Sequence, residues 1–272
     1  MTGDQRREPA APGHVEVAVE DGFAKTTRSH WDEAWTAPPR WRLPSPLYVT
    51  TRNMQRLLRP HVQPGMRVLE LGCAPGKILA WVAAALGAEV SGLDYSERGI
   101  TWSRTLFGAL RIPADLRCED VFKTSFTAGS FDVVYSAGLI EHFDDPRGIV
   151  RTHIELAKPG GKTIIAIPDY SGLYGHLQRW CDPQNLAIHN LEIMSVESLT
   201  RLVPDDLSGD VRVYRAGRLS PWQISFDRRL PALLGRAVAH LLNGVGLLQP
   251  VDFAPICPLL VLEVARRADP TC

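Results

Sequence analysis

Residues 67–168 predict an α/β fold: an open, mostly parallel, doubly wound sheet with helices on both faces. Three observations carry this. Short apolar segments alternate with helix-length segments. Gly87, Gly108 and the pair Gly160–Gly161 stand where those helices should end. The first apolar segment also runs straight into a turn holding Gly72 and Gly76. Short apolar strands separated by helices need cover on both faces, as parallel sheets do.

Taken in order, Leu47–Pro60 carries Val49, Met54, Leu57 and Leu58 at helical spacing and predicts a helix ahead of the sheet. Strands follow at 67–71, 89–94, 115–120, 131–136 and 162–168, with helices at 76–86, 97–109 and 146–157. Pro75 suits the first turn of the 76–86 helix, where a missing N–H costs nothing. After Pro168 the alternation breaks. Residues 169–194 are rich in aromatics, histidine and glycine and too long for a plain connection. A short helix at 195–203 has Ser195 as its N-cap and Glu197 in its first turn. A strand at 210–216, a proline-broken apolar segment at 217–257 and a last strand at 258–267 complete seven strands. The chain reads as a flexible N-terminus (1–28) and one domain (29–272), with cap segments at about 169–194 and 217–257.

Between His30 and Pro46 lie three tryptophans and four prolines, too aromatic for a solvated linker and too proline-rich for a helix. This stretch reads as an ordered arm on the body of the protein. Trp31 and Trp35 either anchor that arm or cover a ligand as a lid.

Composition narrows the function. Thirty basic residues balance thirty acidic ones, which argues against a broad nucleic-acid footprint. Five cysteines without CxxC spacing read as reduced thiols, not a disulfide frame or metal site. The polar, proline-bearing start shows no signal peptide, so a cytoplasmic location is expected. The most apolar stretch, 230–248, contains Arg236, His240 and three glycines, which argues against a membrane span. It reads as a buried cap helix, with a membrane surface or lipid-like pocket as the alternative.

Chemistry concentrates at strand ends, where open parallel sheets bind ligands. Gly72 and Gly76 let backbone approach a ligand closely. Asp94, about 20 residues beyond the turn, suits a pair of ribose hydroxyls. Asp120 suits the exocyclic amine of adenine or caps the next segment. In "SAGLIEHF" small residues precede Glu141 and His142 at the rim. His142 reads either as a general base or as a histidine packed beside the cofactor. His176 and His189 are further candidates.

A dinucleotide-binding oxidoreductase would share the glycine turn and Asp94, but its fingerprint is GxGxxG and this turn is spaced GxxxG. The pattern Glu70-x-Gly72-x-Ala74-x-Gly76, followed by "GLDYS", "CEDVF", "FDVVYSAGLIEHF" and "LAKPGGKTIIAIP", resembles the class I S-adenosylmethionine-dependent methyltransferases, among them type 11-like members acting on small molecules. The resemblance covers roughly residues 45–170. Ala74 departs from the glycine frequent there. It implies S-adenosyl-L-methionine as cofactor, with Gly72, Cys73, Ala74 and Gly76 cradling its amino-acid half and Glu70 orienting the loop. It further implies Asp94 on the ribose, Tyr95 and Ser96 flanking the adenosine, Asp120 and Val121 at the adenine, and Ser136 and Ala137 beside the methionyl portion. It also implies a reversed final hairpin, with the last strand antiparallel. The expected reaction is methyl transfer to a small molecule, with oxygen favoured as acceptor. Tyr170, Tyr174, Arg179 and Trp180 are the expected substrate contacts, with no metal. A methyltransferase-like scaffold without activity is the non-enzyme alternative.

Overall fold

The computed structural model describes residues 25–35, 38, 40–207 and 209–267. Helices α1 (Arg28–Ala34) and α2 (Val49–Leu58) precede the sheet. One half follows as β1 (Arg67–Leu71), α3 (Lys77–Leu86), β2 (Glu89–Asp94), α4 (Glu97–Leu110) and β3 (Asp115–Cys118). The other half is β4 (Phe131–Ala137), α5 (Arg147–Leu156) and β5 (Ala157–Pro168). Then α6 (Leu173–Cys181), α7 (Pro183–Ala187) and α8 (Val196–Thr200) lead to β6 (Gly209–Ala216). Finally α9 (Phe226–Arg229) and α10 (Ala232–Leu248) lead to β7 (Leu259–Arg266).

The seven strands lie in the order β3-β2-β1-β4-β5-β7-β6. β7 runs antiparallel to both β5 and β6 and is the one reversed strand. The doubly wound, mostly parallel sheet is therefore as predicted. The order turns back between β1 and β4, which opens a crevice at their carboxyl ends.

Period-two alternation feeds two cores. Val68, Val133, Tyr135 and Ile164 pack with Leu58, Leu79 and Ile100 on the face covered by α2, α3 and α4. Leu69, Leu71, Val134, Ile165 and Ile167 pack with Ile149, Ile154 and Leu199 on the other.

Four expectations change. Residues 1–24 of the expected flexible N-terminus lie outside the described residues, but its end is fixed, since Lys25 N donates to His142 O at 2.7 Å. The arm begins as a helix, α1, capped by the Thr27 hydroxyl; its prolines fall beyond the helix. Pro75 lies in the turn, because α3 starts at Lys77 after Gly76 at φ 78°. The 230–248 stretch forms a surface helix, not a buried one.

In that helix, α10, Leu233, Leu241 and Leu248 remain 82%, 70% and 85% exposed. Its inward face is Gly235, Ala239, Asn243 and Gly246. Small residues let the backbone press close: a Cβ on Gly246 would lie 2.1 Å from Leu219 O. Asn243 Oδ1 accepts Val49 N at 2.9 Å and Trp222 Nε1 at 3.0 Å, while its Nδ2 donates to Leu47 O at 2.9 Å. Val49 N belongs to the first turn of α2, which lacks intrahelical partners.

Asn243→Ala should therefore destabilise the protein by about 1–3 kcal/mol, since it strands the buried Val49 N–H. Urea unfolding of the two proteins measures this, and a loss below about 1 kcal/mol would reject the assigned role.

Candidate active site

The turn after β1 is built by backbone constraint. Gly72 and Gly76 sit at φ 71° and 78°, conformations that cost a side chain. A Cβ on Gly72 would also come within 3.1 Å of Leu139 Cδ1. Gly72 N and Cys73 N both donate to Leu93 O, at 2.8 and 3.0 Å, tying the turn to β2.

Asp94 closes this corner. Its Oδ2 accepts Ala74 N at 3.1 Å and its Oδ1 accepts Ser96 N at 2.9 Å. Burial pushes its carboxyl up, and the two N–H bonds work against that shift. Ser96 is the N-cap of α4: its Oγ accepts Gly99 N at 2.9 Å and donates to Asp32 Oδ1 at 2.6 Å. The Tyr95 hydroxyl donates to Thr26 O at 3.3 Å.

A cavity of about 660 Å³ opens in front of the corner. Among the expected cofactor residues, Gly72, Ala74, Asp94, Tyr95, Asp120, Val121 and Ala137 line it. Asp120 also caps the single 3-10 turn that follows, accepting Phe122 N at 2.9 Å. Glu70, Cys73, Gly76, Ser96 and Ser136 are not on the lining. Cys73 is buried, and burial pushes its thiol up. The Ser136 hydroxyl turns away from the cavity and donates to His153 Nε2 at 2.9 Å, because His153 Nδ1 is committed to Ile149 O. Glu70 lies buried behind the turn. Desolvation pushes its carboxyl up to about 8, an effect partly offset by the Tyr135 hydroxyl.

His142 also lines the cavity, on a 3-10 turn spanning Ile140–His142. Its Nδ1 donates to Ile188 O at 3.0 Å, and Trp31 packs edge-on against its ring at 4.9 Å. Burial lowers its pKa to about 4 and raises that of Glu141 to about 8. His189 lies beside His142, with ring centroids 4.8 Å apart.

The expected substrate residues divide. Tyr170 packs edge-on against His189 at 5.2 Å, its hydroxyl donating to Gln223 O at 3.0 Å. Tyr174 lines a separate cavity of about 350 Å³ with Asp169 and Arg215. Arg179 and Trp180 lie on the outer face of α6, exposed, with the Arg229 guanidinium over the Trp180 ring. Helical spacing explains the split: α6 turns Tyr174, Gln178 and Cys181 inward. Sequence reasoning missed Thr26, Leu93, Phe122, Leu139 and Phe143, all on the lining. Phe122 and Phe143 directly follow Val121 and His142, and adjacency to strand-end candidates was the signal available for them.

A mostly parallel sheet with a glycine turn and a strand-end carboxylate at its switch point defines a nucleotide-cofactor enzyme of the Rossmann-like class. The sequence signature of the methyltransferase domain matches residues 45–205. A ubiquinone biosynthesis O-methyltransferase of Chromobacterium violaceum is 36% identical over 217 residues, covering 75% of this chain and 80% of the relative. The chain belongs to the methyltransferase-domain family and is an S-adenosylmethionine-dependent methyltransferase. That membership displaces the oxidoreductase alternative. Among solved structures, one described for the conversion of a disulfide bond into a thioacetal group during echinomycin biosynthesis is similar, with a TM-score of 0.57 at 19% identity, covering 89% of this chain and 94% of that one. Phosphoethanolamine N-methyltransferase 2 of Haemonchus contortus, in complex with S-adenosyl-L-methionine, gives a TM-score of 0.56 at 16% identity, covering 79% of this chain and 52% of that one. Among the described residues, no helix is long and apolar enough to cross a membrane.

The raised Glu70 carboxyl has a consequence for stability. The folded state holds this proton up to about pH 8, whereas an unfolded carboxyl releases it near 4.5. Its contribution is therefore full below pH 4.5 and is lost as pH rises towards 8. Glu70→Gln should gain stability over the parent steadily between about pH 5 and 8 in urea unfolding of the cofactor-free protein. A difference that stays flat with pH would contradict the assignment.

Proposed function

We propose that this methyltransferase methylates a hydroxyl oxygen of a small molecule held at the His142 end of the cavity. The observation that carries the reading is that one cavity is lined by Asp94, by Gly72 and Ala74 of the glycine turn, and by His142. The name of the C. violaceum relative, an O-methyltransferase, supports oxygen as the acceptor atom.

The chain's residues fit the cofactor. Backbone at Gly72, Cys73, Ala74 and Gly76 would cradle its amino-acid half, with Glu70 holding that loop from behind. Asp94 would accept the ribose hydroxyls, Tyr95 would flank the adenosine, and Asp120 and Val121 would meet the adenine. Ala137 would border the methionyl portion. Ser96 would act through the backbone it caps, and Ser136, committed to His153, has no part in this reading.

Bound S-adenosylmethionine supplies a methyl group already activated by its sulfonium charge. What remains for the protein is to align the acceptor oxygen behind that carbon and to exclude water. Trp31, Leu139 and Phe143 give the cavity apolar walls suited to that exclusion. The proton of the acceptor hydroxyl leaves at His142, whose Nε2 keeps its lone pair because Nδ1–H is donated to Ile188 O. The segment at 169–194 carries Ile188 and His189 and acts as the cap over the acceptor. The segment at 217–257 supports it through the hydrogen bonds of Tyr170 to Gln223 and of Tyr174 to Ile256.

Asp94→Ala should weaken S-adenosylmethionine binding roughly 10- to 100-fold, as expected for losing hydrogen bonds to a charged group. Calorimetry reads this, and unchanged affinity would remove Asp94 from the site. His142→Ala should lower turnover at least about 100-fold while cofactor affinity changes far less. A screen of hydroxylated acceptors for S-adenosylhomocysteine release supplies the assay. Near-normal turnover in His142→Ala, or release with amine acceptors alone, would overturn the oxygen-acceptor reading.

A further inference from the structure

Three ligand-capable side chains meet around His142, which lines the cavity. Glu141, His142 and His189 each bring a ligand-capable atom within 4.8 Å of the other two. Glu141 and His142 are neighbours on one 3-10 turn, and His189 arrives from the segment following α7. Both imidazoles commit Nδ1–H to a backbone carbonyl, His142 to Ile188 O at 3.0 Å and His189 to Asn185 O at 2.8 Å. Each Nε2 is thereby left as an acceptor. Glu141 brings a carboxyl oxygen that becomes the third ligand when a cation displaces its proton. Its Oε2 is buried without a hydrogen-bond partner among the described residues, in a residue only 1% exposed. Two imidazoles with a free Nε2 beside a buried carboxyl oxygen that lacks a partner form a cluster that a cation can fill. The carbonyl behind each imidazole is the outer support that metal-binding histidines use to fix the ring and its tautomer.

We propose that Glu141, His142 and His189 bind one divalent transition-metal ion of the zinc, cobalt, manganese or iron(II) kind. Two imidazoles and one carboxylate suit these ions, whereas magnesium and calcium favour all-oxygen shells. Three protein ligands leave a coordination position open. His142 lies on the cavity lining, so that position faces the space assigned to the acceptor. In the metal-loaded protein the ion would bind the acceptor oxygen and ease loss of its proton to solvent, with His142 as ligand; His142 is the base in the metal-free protein. This last step rests on the oxygen-acceptor reading; the ion site itself does not.

Dialysis of the full chain against cobalt(II) or zinc chloride, with bound metal counted by mass spectrometry, tests the site. One ion per chain at micromolar concentrations is expected, with visible cobalt absorption and little competition from magnesium. Glu141→Gln and His189→Ala should each weaken binding at least about tenfold, while His176→Ala, an exposed histidine outside the cluster, should bind as the parent does. Cooperative thermal unfolding of each variant certifies its fold. No stoichiometric ion at about 1 mM metal, or equal binding by the parent and both cluster variants, overturns the proposal. Ion counting needs neither acceptor nor turnover, so its failure leaves the oxygen-acceptor reading standing, and the reverse also holds.

Discussion

The cavity depends first on one partly buried carboxylate. Asp94 accepts a backbone N–H from the turn after β1 and another from the start of α4. It therefore fixes both walls of the crevice to the end of β2. An ionised group in this position is disfavoured by burial, and the N–H donors are what make it tolerable. The Leu93 carbonyl, one residue earlier, takes two more N–H groups from the same turn. Ser96 extends the corner outwards by capping α4 and binding Asp32 of α1.

The glycine turn and the strand ends were legible in the sequence because their demands are local. A positive φ asks for glycine at Gly72 and Gly76, a covered parallel strand asks for an apolar run, and a strand end shows where a carboxylate will stand. Ser136 marks the limit of that reasoning. Its strand was placed correctly, but alternation sends Ser136 to His153 and leaves Ala137 on the cavity. The acceptor half was harder to read because its pairings are tertiary. Nothing near His189 in the chain announces that it will meet His142. Trp180 and Arg179 drew attention by type, yet the helical period of α6 turns them to solvent.

Helix α10 exposes a different blind spot. Hydropathy ranks its leucines as the buried face, but glycine, alanine and Asn243 face inward. Close backbone approach and a side-chain amide bonded to three groups hold it, not apolar area. A small-residue face gives little hydropathy signal, so composition alone points the helix the wrong way.

The N-terminal helix ties these pieces together. At the cofactor end α1 is held by the Asp32 bond to Ser96. At the other end Trp31 packs on His142, and Lys25 N donates to the His142 carbonyl. Trp31 and Trp35 both line the cavity, from an arm fixed to the body of the protein. Because one short element touches both ends, displacing it would open the Asp94 corner and unpack His142 together. Exclusion of water from the cavity is in this way coupled to the position of the His142 imidazole.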